Sequence, residues 1–195
     1  AIMILSMLPV FSVTGHAAAE NGDTIIAFTS DVHNEPAGEA ATRLGEWIDA
    51  VNQYVGGKID FMTFCGDMGK SSTEEPRNVN DYWNWTQSAI DVADAKLSAE
   101  NVAFTTGNHE LDSNDGKYDP NTTYTTGTQS RFSVDKLVKE TDLYDVYCMG
   151  CTSSSQSSGG YSSTQISKLT TYLNGVDTNS RKIYFIASHY PLHYF

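Results

Sequence analysis

The stretch Val102-Ala103-Phe104-Thr105-Thr106-Gly107-Asn108-His109-Glu110 decides how this chain reads. Its apolar and β-branched start predicts a buried strand. Its end sets an amide, an imidazole and a carboxylate side by side where that strand runs out. Three more polar clusters stand at the ends of three more predicted strands: Asp31-Val32-His33, Gly66-Asp67 and Ser188-His189. In an open α/β sheet, ligand sites form at strand ends. Strand ends that together offer Asp, His, Asp, Asn, His and His predict a metal site.

Working outward, apolar runs predict strands over 24–29, 59–65, 102–106, 144–149 and 183–187. Helical periodicity is read over 37–55, 81–99, 134–140 and 164–173, with Gly56-Gly57 stopping the first helix. Strands alternating with helices predict an α/β domain with a largely parallel sheet. The segment 112–130 is rich in Asp, Asn, Thr, Gly and Tyr. A loop of that length inside a compact domain is usually functional or mobile.

The 195 residues suffice for one domain with a real core. A net charge of -12, with no basic cluster, excludes nucleic-acid binding through a basic surface. An acidic chain that handles a phosphate must find positive charge elsewhere, and bound cations supply it. The run Ala1–Phe11 is apolar but too short to span a bilayer, and Ala17-Ala18-Ala19 precedes a polar start at Glu20. These features predict a partial secretory signal over 1–19, a secreted or extracytoplasmic product, and no transmembrane span in the mature chain. The competing reading of the same run is a buried N-terminal strand or helix. Cys65 reads as a small buried residue. Cys148 and Cys151 form a lone C-x-x-C, without the second pair a zinc ribbon needs, so it is either a local disulfide or two thiols.

Each motif has a chemical and a plainer reading. Asp31 and His33 are two apart, so on a strand they point to one side and can grip one ion; the plainer reading is a solvated loop pair. Gly66 lets the backbone turn, which frees Asp67 to place both oxygens on metal; otherwise Asp67 caps the next segment. Asn108 offers a neutral hard ligand. His109 diverges from its neighbour and is read as a proton donor aimed at a leaving oxygen, with Glu110 holding its ring through the other nitrogen. The alternative for His109-Glu110 is a surface polar pair. His189 follows an apolar strand, as a neutral imidazole ligand should, although a histidine that merely ends a strand is common. His193 is read as loop or substrate-side.

In this order, D-x-H, G-D, G-N-H-E and a His after a strand resemble the calcineurin-like metallophosphoesterases, from Thr24 to Phe195. The resemblance implies a four-layer α/β sandwich, with two central mixed sheets flanked by helices, over a domain at 23–195. It implies a metal-dependent phosphoesterase that hydrolyses small phosphomonoesters or phosphodiesters with a metal-activated water at a two-metal centre. Asp31, His33 and Asp67 are implied as ligands of one ion, and Asp67, Asn108 and His189 as ligands of the other. The ions implied are divalent or trivalent, with Mn, Fe or Zn suiting mixed N and O donors. His109 and Glu110 are the implied catalytic pair at the leaving group. Two departures stand out. The G-D motif continues Met68-Gly69-Lys70, where many members carry a further polar residue. The terminal G-H-x-H motif, which brings one more His to each metal, is missing, so the expectation is a domain truncated at its C-terminus. The rival reading is a non-catalytic scaffold of the same family; such scaffolds can lose the His that this chain keeps as His109.

Overall fold

Two strands carry the architecture because both of their faces are covered. Phe61–Cys65 (β2) and Tyr144–Met149 (β5) are buried at every position, as expected of strands covered on both sides. The structure, a computed structural model, describes residues 23–34, 38–69, 79–113, 115–154 and 160–190. The leader read over 1–19 and His193 lie outside these residues.

β2 is the middle strand of a parallel sheet, between Ile26–Thr29 (β1) and Val102–Thr105 (β3). β5 is the middle strand of a second sheet, between Lys136–Glu140 (β4), which runs antiparallel to it, and Ile183–Ser188 (β6), which runs parallel. Of the two mixed sheets expected, one is mixed, and the other is parallel throughout its three described strands.

The pleat sorts each strand's side chains between two cores. Met62 and Phe64 face the helices Glu39–Val55 (α1) and Val79–Leu97 (α2), where Leu44, Ile48, Tyr82, Trp83 and Ile90 close the core. Phe61 and Cys65 face the other way and pack with Ala103, Tyr144, Val146, Cys148 and Ala187, so the two sheets meet face to face. A short helix, Asn108–Leu111 (α3), follows β3, and the far side of the second sheet presents Tyr147 and Met149 to Leu169 of Ser163–Asn174 (α4). α1 ends at Gly56, whose φ of 67° is a left-handed cap, as the Gly56-Gly57 pair predicts.

The helix expected over 134–140 is a strand. Val134, Leu137 and Val138 have helical spacing, but in the fold Leu137 joins the core under α4 while Val138 joins the core between the sheets. Pairing with β5 overrides the periodicity, and a bulge between Leu137 and Lys139 re-registers the ladder. The C-x-x-C is not a disulfide: Cys65, Cys148 and Cys151 are buried free thiols. Cys148 lies in the core between the sheets, while the Cys151 amide donates to the Thr106 carbonyl at 3.1 Å. Burial pushes all three thiols up, that of Cys65 to about 12. Among the described residues, no helix is long and apolar enough to cross a membrane.

Candidate metal centre

The parallel sheet ends in three loops lying against one another. Asp31 N–H donates to Gly66 O at 3.0 Å, His33 N–H to Asp67 O at 3.0 Å and Asn34 N–H to Met68 O at 2.8 Å, so the loop after β1 runs alongside the loop after β2. Asn34 is buried and holds this register. Its amide donates to Trp85 O and Ser88 Oγ on α2, and its oxygen accepts from Ala41 N on α1. The loop after β3 lies so close that an ideal Cβ on Gly107 would stand 2.2 Å from Asp67 Oδ1, and one on Gly66 would stand 2.2 Å from Gly107 N. Both glycines are therefore required by contact, and Gly66 also by its φ of 92°. Asp31, His33 and Asp67 have φ of 58°, 46° and 56°, a left-handed conformation in which L-residues are strained. Strain of this kind persists where surrounding structure enforces it and clusters at functional sites.

Side chains converge on one atom, Asp67 Oδ2. His189 Nε2 is 3.4 Å from it, His109 Nε2 3.8 Å and His33 Nε2 4.0 Å. Two overlapping triads result, His33–Asp67–His109 and Asp31–Asp67–His189, each with donor atoms within 4.8 Å of one another. Asn108 Oδ1 stands 3.1 Å from His189 Nε2. The sequence-derived candidates Asp31, His33, Asp67, Asn108, His109 and His189 thus gather in one place. Asp31 faces His189 as well as His33, and His33 faces His109 as well as Asp31. Asp67 Oδ1 accepts the His109 N–H at 3.0 Å, and Oδ2 is the oxygen the three imidazoles face.

The donor set fits a cation. His189 Nδ1 lies 2.8 Å from the Cys65 carbonyl, which can only accept, so in the neutral ring the proton belongs to Nδ1 and Nε2 offers its lone pair. That lone pair faces Asn108 Oδ1 and Asp67 Oδ2, two more acceptors. Atoms bound to one ion at about 2.0–2.2 Å stand about 3.0–3.6 Å apart, and His189 Nε2 keeps 3.1 Å from Asn108 Oδ1 and 3.4 Å from Asp67 Oδ2. In the absence of a cation, burial and then the charge of Glu110 push the Asp67 carboxyl up. Among the described residues, every ion-pair partner of Asp67 is a histidine. At the rim, the hydrogen bond from His33 holds Asp31 below its ordinary value, and the same contact raises His33.

Glu110 does not hold the His109 ring. Its carboxylate is fully buried and accepts the N–H groups of Asp67, Met68 and Gly107 and the Tyr82 hydroxyl, at 2.9, 2.9, 2.6 and 2.7 Å. All of its acceptor capacity goes to fixing the loops. His109 Nδ1 instead meets Asp115 Oδ2 at 2.7 Å. No local sequence pattern marks Asp115, Asn34 or Tyr82 as parts of this site. The Asp115-Gly116 dipeptide signals a turn, but nothing in its spacing says that the turn folds back on His109.

These strand ends define a metal-binding α/β domain. The sequence model of the calcineurin-like phosphoesterases matches residues 24–193, and the chain belongs to that family, whose members are generally phosphoester hydrolases. No curated protein and no solved structure matches it significantly.

Proposed function

We propose that the chain is a metal-dependent phosphoesterase that hydrolyses small phosphomonoesters or phosphodiesters at a two-metal centre. The observation that carries this reading is the convergence of His189 Nε2, Asn108 Oδ1 and Asp67 Oδ2, three atoms that each offer a lone pair when the ring is neutral and the carboxylate ionised. On this reading Asp67 would be a ligand of both ions. Asp31 and His33 complete one side, and Asn108 and His189 the other. Bound ions of the Mn, Fe or Zn type would neutralise phosphate charge and activate water. His109, whose Nε2 faces Asp67 Oδ2 at 3.8 Å, gives its Nε2 proton to the leaving oxygen. Asp31 and Asp67 are the only anionic side chains in this ligand set, so a loaded site stays cationic on an acidic protein. We further propose that the face-to-face sheets with α1, α2 and α4 outside them are the family's four-layer sandwich, and that residues 1–19 direct export with a mature start near Glu20.

The test is hydrolysis of 4-nitrophenyl phosphate and bis(4-nitrophenyl) phosphate with and without Mn²⁺. Turnover of either substrate that is abolished by a chelator and restored by the metal supports the reading. Its absence with Mn, Fe and Zn alike, in protein shown to bind them, supports the scaffold instead.

A further inference from the structure

We propose that Asp115 is a positioning residue that fixes the proton on His109 Nδ1 and so reserves Nε2 for exchange with the substrate's leaving oxygen. The inference rests on the reading of His109 as the proton donor and deepens it with a residue outside the four motifs.

Three observations carry it. First, Asp115 Oδ2 lies 2.7 Å from His109 Nδ1, and its side chain is 4% exposed. An ionised carboxylate only accepts hydrogen bonds, so in the neutral ring the proton belongs to Nδ1. Second, the opposite nitrogen, Nε2, faces Asp67 Oδ2 at 3.8 Å, so the bare atom looks into the cleft where the other candidate ligands meet. Third, the turn carrying Asp115 is built against His109. Gly116 N–H donates to His109 O at 3.0 Å and Tyr118 N–H to Glu110 O at 2.6 Å, while Trp83 Nε1–H donates to Gly116 O at 2.7 Å from α2. An ideal Cβ on Gly116 would stand 2.6 Å from Glu110 O, so the approach is one that only glycine allows. The His109 backbone is tied separately, through its N–H to Asp67 Oδ1. Main chain and ring are thus fixed by different carboxylates. The ring is left with one free atom, in the position a proton donor needs.

In the hydrolysis, water adds its oxygen to phosphorus and the bond from phosphorus to the leaving oxygen breaks. That oxygen takes the Nε2 proton of the imidazolium. The ring is left neutral with its Nδ1 proton held against Asp115, and is recharged by the proton the attacking water released. Without Asp115 the neutral ring divides between tautomers and turns more freely. The loss should be greatest where the leaving group most needs a proton.

The plainer reading of Asp115 is a buried partner that only stabilises the turn, and two measurements separate the two. In the metal-free protein, ¹⁵N NMR of the imidazoles, with His109 assigned by its absence in His109→Gln, should show the neutral ring protonated at Nδ1 and bare at Nε2. Asp115→Asn and Asp115→Ala should each raise the Nε2-protonated form. In the metal-loaded enzyme, Asp115→Asn should lower kcat at least about tenfold for an alkyl phosphoester and by less than His109→Ala does, since general acid help spans about 10²–10⁴. The effect on a 4-nitrophenyl ester should be small, KM should hold, and nothing further should be lost in a His109→Ala background. Circular dichroism of the near-isosteric Asn variant separates misfolding from loss of the contact. A wild-type ring protonated at Nε2 would overturn the proposal. So would an equal loss on both esters that persists without His109. If the wild type hydrolyses no phosphoester, the functional reading falls, while the tautomer still decides what Asp115 does.

Discussion

The backbone amide of Asp67 donates to Glu110 Oε2 across 2.9 Å, tying the end of β2 to the end of β3. With Met68 N–H, Gly107 N–H and the Tyr82 hydroxyl, this carboxylate sets the spacing between the loops that present Asp67 and Asn108. Glu110→Gln replaces one acceptor oxygen with an NH₂ group that must face donors. Buried hydrogen bonds to charged groups are worth about 1.5–3 kcal/mol each, so the variant should lose about 3 kcal/mol or more in denaturant unfolding. Metal affinity, measured by titration calorimetry, should fall about 10–100-fold, as is typical when support behind a ligand is removed. Full affinity in a stable Gln variant would contradict this role.

Glycine content tests the close approach of the same loops. Gly107→Ala would set a methyl group 2.2 Å from Asp67 Oδ1, whereas a Cβ on Gly57 would meet nothing within 4 Å. The expectation is about 3 kcal/mol or more of destabilisation for Gly107→Ala. For Gly57→Ala it is a change within about 1 kcal/mol. Thermal unfolding of the two variants side by side reads the difference.

His109→Ala should keep its metals and lose rate. On the reading above its Nε2, 3.8 Å from Asp67 Oδ2, faces the cleft beside the ligands and serves the leaving oxygen. Turnover of alkyl esters should fall about 10²–10⁴-fold, with a smaller effect on nitrophenyl esters. Metal analysis of the variant should match the wild type, and a lost ion would make His109 a ligand.

The Asp31–His33 pair gives the metal-free protein a pH signature. The hydrogen bond between the two lowers Asp31 and raises His33. The contribution through Asp31 is present above its unfolded value and fades as pH falls through the lowered one. The contribution through His33 is present below its unfolded value and fades as pH rises through the raised one. Both are therefore in place between about pH 3.9 and 6.5, and the pair is worth little at pH 9. Since both groups are half exposed, the effect is small. The Tm penalty of His33→Gln in chelated protein should be larger at pH 5.5 than at pH 9, and the reverse order would contradict the pairing.

The sequence was most legible where local pattern and tertiary role agree. The apolar runs at β2, β3 and β5 announce strands because both faces of each are covered, and the ligands are legible because each sits where a run ends. The pattern failed at β4, where Val134, Leu137 and Val138 mimic a helix but divide between different cores. It also failed for the support around the site. Glu110 is adjacent to His109 yet turns away to bind amides, and Asp115, six residues on, takes its place. Local spacing cannot show this, because the fold-back of the turn is decided by Trp83 and Gly116, contacts that form only once α2 has packed.

The central claim is that Asp67 would serve two ions, and Mn²⁺ loading tests it most directly. Metal analysis together with electron paramagnetic resonance of the loaded protein should give two Mn²⁺ per chain with an exchange-coupled signal. Asp67→Asn should lose the coupling and weaken both ions, while Asp31→Asn depletes mainly one. A single ion in the wild type, or two uncoupled ions that persist in Asp67→Asn, would contradict the account.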